Sequence, residues 1–205
     1  MCGRFTLRTP HFQLLEQFQA VIDPRFNIAP TQSVPVVRVI AQKRELVPLR
    51  FGLTTSQGQL INARSETVAT KPTFRESFRK RRCLIPADGF YEWQRVGKKK
   101  QPFFIRMKDH SGFAFAGIWQ DEGFAILTTQ ANELVAPLHD RMPVILEPAD
   151  YDRWLDTATP LDQLPQLDPY PADRMESVPV SPRVNNVQHD DASCLEPTKP
   201  TQLLF

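Results

Sequence analysis

The alternation of apolar and polar positions along this chain of 205 residues changes period several times, and each change predicts an element. Phe12, Leu15, Phe18 and Ile22 recur at close to helical spacing behind Thr9-Pro10, an N-cap with proline at the first helical position. They predict a core helix ending before Pro24. Residues 25–30 read as an extended loop closed by Pro30, and 34–40 as a β-branched strand that turns over 41–45 into an antiparallel partner over 46–53. Residues 60–64 are predicted extended, so that Asn62 and Arg64 share a strand face. Pro72 opens a second helix with Phe74 and Phe78 as its apolar stripe, and the run Arg79-Lys80-Arg81-Arg82 places cations at its C-terminal end. From 83 to 93 the pattern is an apolar strand broken at Pro86, a turn at Asp88-Gly89, and a strand through Phe90, Tyr91, Glu92 and Trp93. A basic hairpin tip at 97–100 precedes strands over 102–107, 112–119 and 123–129 in meander order. Residues 132–138 form a turn or two of helix, 144–146 a strand, 148–155 a short helix carrying Trp154, 157–171 an ordered surface loop and 175–180 a late strand.

Composition narrows this picture. With 41% hydrophobic and 23% charged residues the chain suits one well-buried soluble domain, and no internal repeat or linker divides it. No stretch is apolar for long enough to span a bilayer and no secretory signal opens the chain, so a cytoplasmic location without membrane contact is expected. The three cysteines, Cys2, Cys83 and Cys194, lie far apart without CxxC spacing, which argues against a disulfide framework or a metal site. A net charge of +2 permits nucleic-acid binding without demanding it. Nineteen prolines against eight glycines predict stiff connections.

Candidate chemistry concentrates in a few places. If Met1 is removed, Cys2 carries a free α-amine beside its thiol, and an aldehyde would meet both: the amine forms a Schiff base and the thiol closes it to a thiazolidine. Each group is partly in its nucleophilic form at neutral pH in the absence of burial. A cysteine near a terminus is, by itself, more often incidental. Asn62 and Arg64 on one face suit a phosphate or a sugar, or simply an exposed strand. Glu92, flanked by three aromatics, is either a desolvated general acid or base or the partner of an arginine. His139 and Arg141 repeat the amide and guanidinium spacing of Asn62 and Arg64 if their segment is extended.

Taken together, Met1-Cys2-Gly3-Arg4-Phe5, Phe26-Asn27-Ile28-Ala29-Pro30, Asn62-Ala63-Arg64-Ser65-Glu66, the stretch 83–93, Ala116-Gly117-Ile118-Trp119 and His139-Asp140-Arg141-Met142-Pro143 resemble the SRAP (SOS response-associated peptidase) family of abasic-site processing proteins. The resemblance implies one α+β domain over 1–196, built on a largely antiparallel, barrel-like sheet flanked by short helices, with a tail over 197–205. It also implies covalent capture of the open-chain aldehyde of an abasic site in single-stranded DNA, by a monomer that needs neither metal nor organic cofactor. Carried over by position, Cys2 is the nucleophile, Asn62 orients the Cys2 amine or the opened sugar, Glu92 shuttles protons, and His139 assists ring opening and reversal. Arg4, Arg64 and Arg141 hold the flanking phosphates, with Thr128 a weaker candidate. The peptidase label corresponds to removal of Met1. One departure stands out: Phe51-Gly52-Leu53 and a short 54–59 segment replace the family's Trp and longer insert, which bears on adjoining duplex rather than on capture. Two other classes remain open, an N-terminal-nucleophile cysteine amidohydrolase, which does not require the arginines, and a non-catalytic DNA-binding module, which leaves Cys2 and Glu92 without a role.

Overall fold

The computed structural model describes residues 2–8, 13–16, 18, 22–56, 58–97 and 99–199. In chain order its strands and α-helices are β1 (Phe5–Leu7), α1 (Gln13–Glu16), β2 (Arg25–Ile28), β3 (Ser33–Ile40), β4 (Lys43–Phe51), β5 (Leu53–Thr55), β6 (Gly58–Leu60), β7 (Asn62–Arg64), α2 (Arg75–Lys80), β8 (Arg82–Ala87), β9 (Gly89–Val96), β10 (Lys99–Met107), β11 (Phe113–Gln120), β12 (Gly123–Gln130), β13 (Arg141–Pro143), β14 (Ile145–Leu146), α3 (Tyr151–Leu155) and β15 (Met175–Pro179). Short 3-10 turns fill much of the chain after β14.

The strands form the expected mixed α+β fold. A five-stranded antiparallel sheet has the order β15-β10-β9-β1-β2. An eight-stranded sheet runs β13-β12-β4-β3-β8-β11-β14 with β7 on β12, and β12 also pairs with β11, closing a ring through β4, β3 and β8. Most pairs are antiparallel; β12 runs parallel to both β4 and β7. Closure leaves the central strands no free edge. The two sheets meet through Phe5 of β1, whose ring packs edge-on against Phe51 of β4 at 5.6 Å and Phe115 of β11 at 5.7 Å. All three are fully buried, so the N-terminal strand is anchored by the core itself.

Several local expectations change in the structure. Pro86 does not break its strand: β8 continues through it to Ala87, with Pro86 opposite Ala114. Proline lacks one N–H but keeps an extended φ, and the bend falls instead at Asp88. Pro35 and Pro48 likewise sit inside strands, facing each other across β3 and β4. The predicted first helix is described only over α1, because Thr9, Pro10 and Phe12 lie outside the described residues. Arg82 does meet the end of its helix, but from the inside. It is buried, and its guanidinium donates to the Phe78 and Arg79 carbonyls at 3.0 Å each and to Trp154 and Asp156 at 2.6 Å each. One planar fork therefore ends α2 and ties it to α3.

The short segment after β4 is ordered as a small hairpin of β5 and β6. Gly52 enters it at φ 124°, where a side chain would also collide with Gln59. At the other end of the chain, Pro197 bridges Val180 and the Thr198 N–H donates to the Pro179 carbonyl at 2.9 Å, while residues from 200 lie outside the description. Among the described residues no helix is long and apolar enough to cross a membrane.

Candidate functional site around Cys2

Cys2 is placed by the register of β1. Phe5 pairs with Phe90 and Thr6 with Gly89, and the ladder continues as the Tyr91 N–H donates to the Arg4 carbonyl at 3.0 Å. The residues preceding Arg4 therefore run beside Glu92. This register is fixed by Asp88, which the sequence offers only as a turn residue. Its buried carboxylate accepts from the Thr6 hydroxyl, from the Arg8 N–H at 2.6 Å and from Arg8 Nε at 3.1 Å. Gly89 is required next to it, since a Cβ there would enter the Phe104 ring.

A second network holds the start of the chain from the other side. Asn27 on β2 accepts from Arg4 Nη1 at 2.7 Å, and its amide donates to the carbonyls of Val184, Asn186 and His189 at 3.1, 3.1 and 2.7 Å. The backbone N–H groups of Phe26 and Asn27 donate to Asp190 at 2.5 and 2.8 Å. Arg4 also donates to the Val184 carbonyl at 2.8 Å. The Phe26-to-Pro30 motif is thus a clasp joining β2, the N-terminus and the segment 184–190. Nothing in its local pattern reveals this, because its partners in the segment 184–190 lie more than a hundred and fifty residues away.

Four of the predicted site residues come together on this frame. Cys2 is fully buried, its thiol facing the Arg4 carbonyl at 3.9 Å, and burial pushes its pKa up, with the Glu92 charge adding to the rise. Asn62, at the start of β7, donates from its amide to the Cys2 carbonyl at 3.2 Å, and its Oδ1 is buried without a hydrogen-bond partner. Glu92 on β9 is also buried; desolvation raises its pKa, opposed in part by the charge of His139. The Nδ1 atom of His139 lies 2.9 Å from the Arg141 N–H and 2.8 Å from Asp140 Oδ1. A neutral ring accepts the first and holds its proton on Nε2; a protonated ring donates to the second. His139 therefore has a partner in either state.

The predicted phosphate-binding residues divide. Arg64 is exposed on β7, opposite Thr128 in register. Arg141 is buried and already engaged: it grips Glu66 with two hydrogen bonds of 2.5 and 2.8 Å and donates to the Thr128 carbonyl at 2.5 Å. This pairing lowers the Glu66 pKa. Thr128 itself is fully buried beneath it. Arg4, half-buried, lines an open cleft of about 480 Å³ with Gly3, Pro30, Trp93, Lys100 and Asn185. Trp93 is fixed there by a hydrogen bond from its indole to Asn185 Oδ1 at 2.7 Å. Around Cys2 there are thus an amide, a carboxyl and an imidazole, and the cleft next to it adds the Trp93 ring and at least two cations, Arg4 and Lys100. No group of three or more His, Cys, Asp or Glu side chains among the described residues is arranged to hold a metal ion.

The family description SOS response associated peptidase (SRAP) matches residues 1–187. The chain belongs to the SRAP family. It is 38% identical to the abasic site processing protein YoqW of Bacillus subtilis, over 96% of this chain and 99% of that one. It is 32% identical to the abasic site processing protein YedK of Escherichia coli, over 96% and 100% of the two chains. A solved structure from Bacteroides thetaiotaomicron matches the fold with a TM-score of 0.78 at 22% identity, covering 97% of this chain and all of the other. The SRAP match spans the segments that carry Cys2, Asn62, Glu92 and His139 and stops just short of His189 and Asp190 of the clasp.

Proposed function

We propose that this SRAP protein processes abasic sites in DNA, capturing the open-chain aldehyde in single-stranded DNA as a thiazolidine on Cys2 after removal of Met1. The observation that carries the reading is the convergence of Cys2, Asn62, Glu92 and His139 on β1, β7, β9 and the segment before β13. The two similar proteins named above are both abasic site processing proteins.

The chemistry follows from the environment. Burial keeps the Cys2 thiol protonated, so the freed α-amine attacks the aldehyde first. The carbinolamine then loses one water, with Glu92 giving the proton that lets hydroxide leave. The thiol adds to the imine carbon, its proton passing to Glu92 or to the nitrogen, and the ring closes with no further loss of atoms. Asn62 Oδ1 supplies the acceptor that orients the amine or a sugar hydroxyl. His139, able to hold its proton on Nε2 or to gain a second, serves opening of the sugar hemiacetal and return of the adduct. Arg4 and Arg64 meet flanking phosphates; Arg141 does so once Glu66 shares or yields its fork. Trp93 gives a neighbouring base a face to stack on. A nucleotide without a base requires no flipping, so selectivity rests on the aldehyde.

The test is a denaturing gel of Met1-free protein with a labelled single-stranded oligonucleotide bearing one abasic site, without reductant, beside Cys2→Ala. A heat-stable shifted band that requires Cys2 is expected. A band of equal yield from Cys2→Ala would show that an amine alone, the N-terminal one or a lysine, holds the aldehyde and would reject the thiazolidine. No band from protein whose free N-terminal Cys2 is confirmed by mass spectrometry would turn attention to amide substrates.

A further inference from the structure

The barrel interior ends on a charge. Along β3 one face carries Val34, Val36 and then Arg38, and their partners across β4 are Leu49, Val47 and Glu45. Alternation predicts an apolar residue at position 38. Arg38 instead stands 4.5 Å from the centre of the Trp119 ring, and its ion pair with Glu45 is long, at 3.8 Å. Its side chain is only 19% exposed. Arg38 Nε and Trp119 Nε1 are both buried without a hydrogen-bond partner. So is Nε of Arg81, whose carbonyl accepts the Trp119 N–H at 2.9 Å.

Arg38 Nε and Trp119 Nε1 are both donors, whereas the Arg81 guanidinium turns to α2, its Nη2 donating to Ser77 Oγ at 3.5 Å. Buried donors are almost always paired, and what satisfies a set of donors only is a group that only accepts. Arg38 also lines a cavity of about 610 Å³, together with Thr31, Ser33, Arg50, Asp121 and Glu122. Ser33 pairs with Arg50 five residues from Arg38 and on the other strand face, and Arg50 donates to Thr54 Oγ1, so Arg38 is the cation that faces the Trp119 ring. The carboxylates of Asp121 and Glu122 disfavour a polyanion such as a DNA backbone, so the fit is to one compact oxyanion. The place is set apart from the Cys2 cluster: Trp119 on β11 pairs with Phe124 of β12, whereas Asn62 on β7 pairs with Ile126 of β12, so the two are separated by two strand spacings of ~4.8 Å and by two residues of rise, about 7 Å.

We propose that this barrel mouth binds a small ligand through a single oxyanion, a phosphate monoester or a carboxylate, gripped by the Arg38 fork over Trp119. The experiment is isothermal titration of the full chain with inorganic phosphate and, separately, with acetate. Saturable one-to-one binding of at least one probe is expected, weakened about tenfold in Arg38→Gln and about threefold in Trp119→Phe. Phosphate alone or acetate alone identifies the class of oxyanion. Abasic-site crosslinking is unchanged in both variants, which separates this site from the Cys2 reading. If circular dichroism shows Arg38→Gln misfolded, Trp119→Phe decides, because it keeps a ring under the guanidinium and removes one donor. Absence of saturable binding by either probe, or binding that a folded variant leaves intact, overturns the proposal.

Discussion

Asn27 and Asn62 carry the same amide into two regions of the molecule and are used in opposite ways. Asn27 spends both ends: its oxygen accepts from Arg4 and its nitrogen donates to three carbonyls. Asn62 makes one 3.2 Å bond to the Cys2 carbonyl and keeps a buried oxygen without a partner. A satisfied polar network fixes a unique geometry, whereas an unsatisfied one reserves a bond for something that arrives later. The clasp around Asn27 closes on itself, whereas the cluster around Asn62 keeps one acceptor open, as the proposed capture of an aldehyde requires.

The contrast can be broken most severely at the clasp. Asn27→Ala removes four hydrogen bonds at once, one accepted from Arg4 and three donated to carbonyls, and should lower unfolding free energy by about 3 kcal/mol in urea titration. A loss below about 1 kcal/mol would mean that water replaces the amide without cost. Next, Glu92→Gln keeps shape and removes a proton carrier, so crosslinking should slow about 100-fold with the fold intact. Burial raises the Glu92 pKa, so the folded state holds that proton at pH values where the unfolded chain has released it. Wild-type stability therefore declines as pH rises from the ordinary carboxylate range toward the raised value, and Glu92→Gln should flatten that decline. Parallel stability curves for the two proteins would remove Glu92 as the titrating group.

Asn62→Ala sharpens the comparison, because it should slow crosslinking about 10-fold while costing no more than about 1 kcal/mol, only the single bond to the Cys2 carbonyl being lost. A large stability loss there would make Asn62 scaffold like Asn27. The smallest effect is expected at Glu66. Glu66→Gln loosens the grip on Arg141, and affinity for single-stranded DNA should rise about threefold, with a salt dependence steeper by about 0.7 in logarithmic slope, as one more phosphate contact requires. Weaker binding instead would show that Glu66 positions Arg141 rather than competing for it.

Local pattern made most of the sheet legible. The strands predicted over 102–107, 112–119 and 123–129 are observed as Lys99–Met107, Phe113–Gln120 and Gly123–Gln130, because alternation and turn residues are encoded within each segment. Ring closure was not, since β12 pairing with β4 and β7 joins residues far apart and in parallel. Pro86 misled because its missing N–H was weighed and its compatible φ was not. The candidates Cys2, Asn62, Glu92 and His139 stand out in separate motifs, but no motif reveals the residues that bring them together. Asp88 reads as a turn, Asn27 as part of a loop and Asp190 as nothing in particular; each acts through partners that only the fold supplies. Arg141 was read as a free cation because the Glu66 carboxylate sits seventy-five residues away.

The pairing of Phe5 with Phe90 also turns the first codons of the gene into a counted ruler. Successive side chains of a strand alternate between faces. One codon added or lost between Cys2 and Phe5 would leave the core phenylalanine in its slot and turn the cysteine away from Glu92 and Asn62. Single-codon insertions and deletions there should be as disabling to crosslinking as replacing the cysteine itself, although Phe5 would still hold its place in the core.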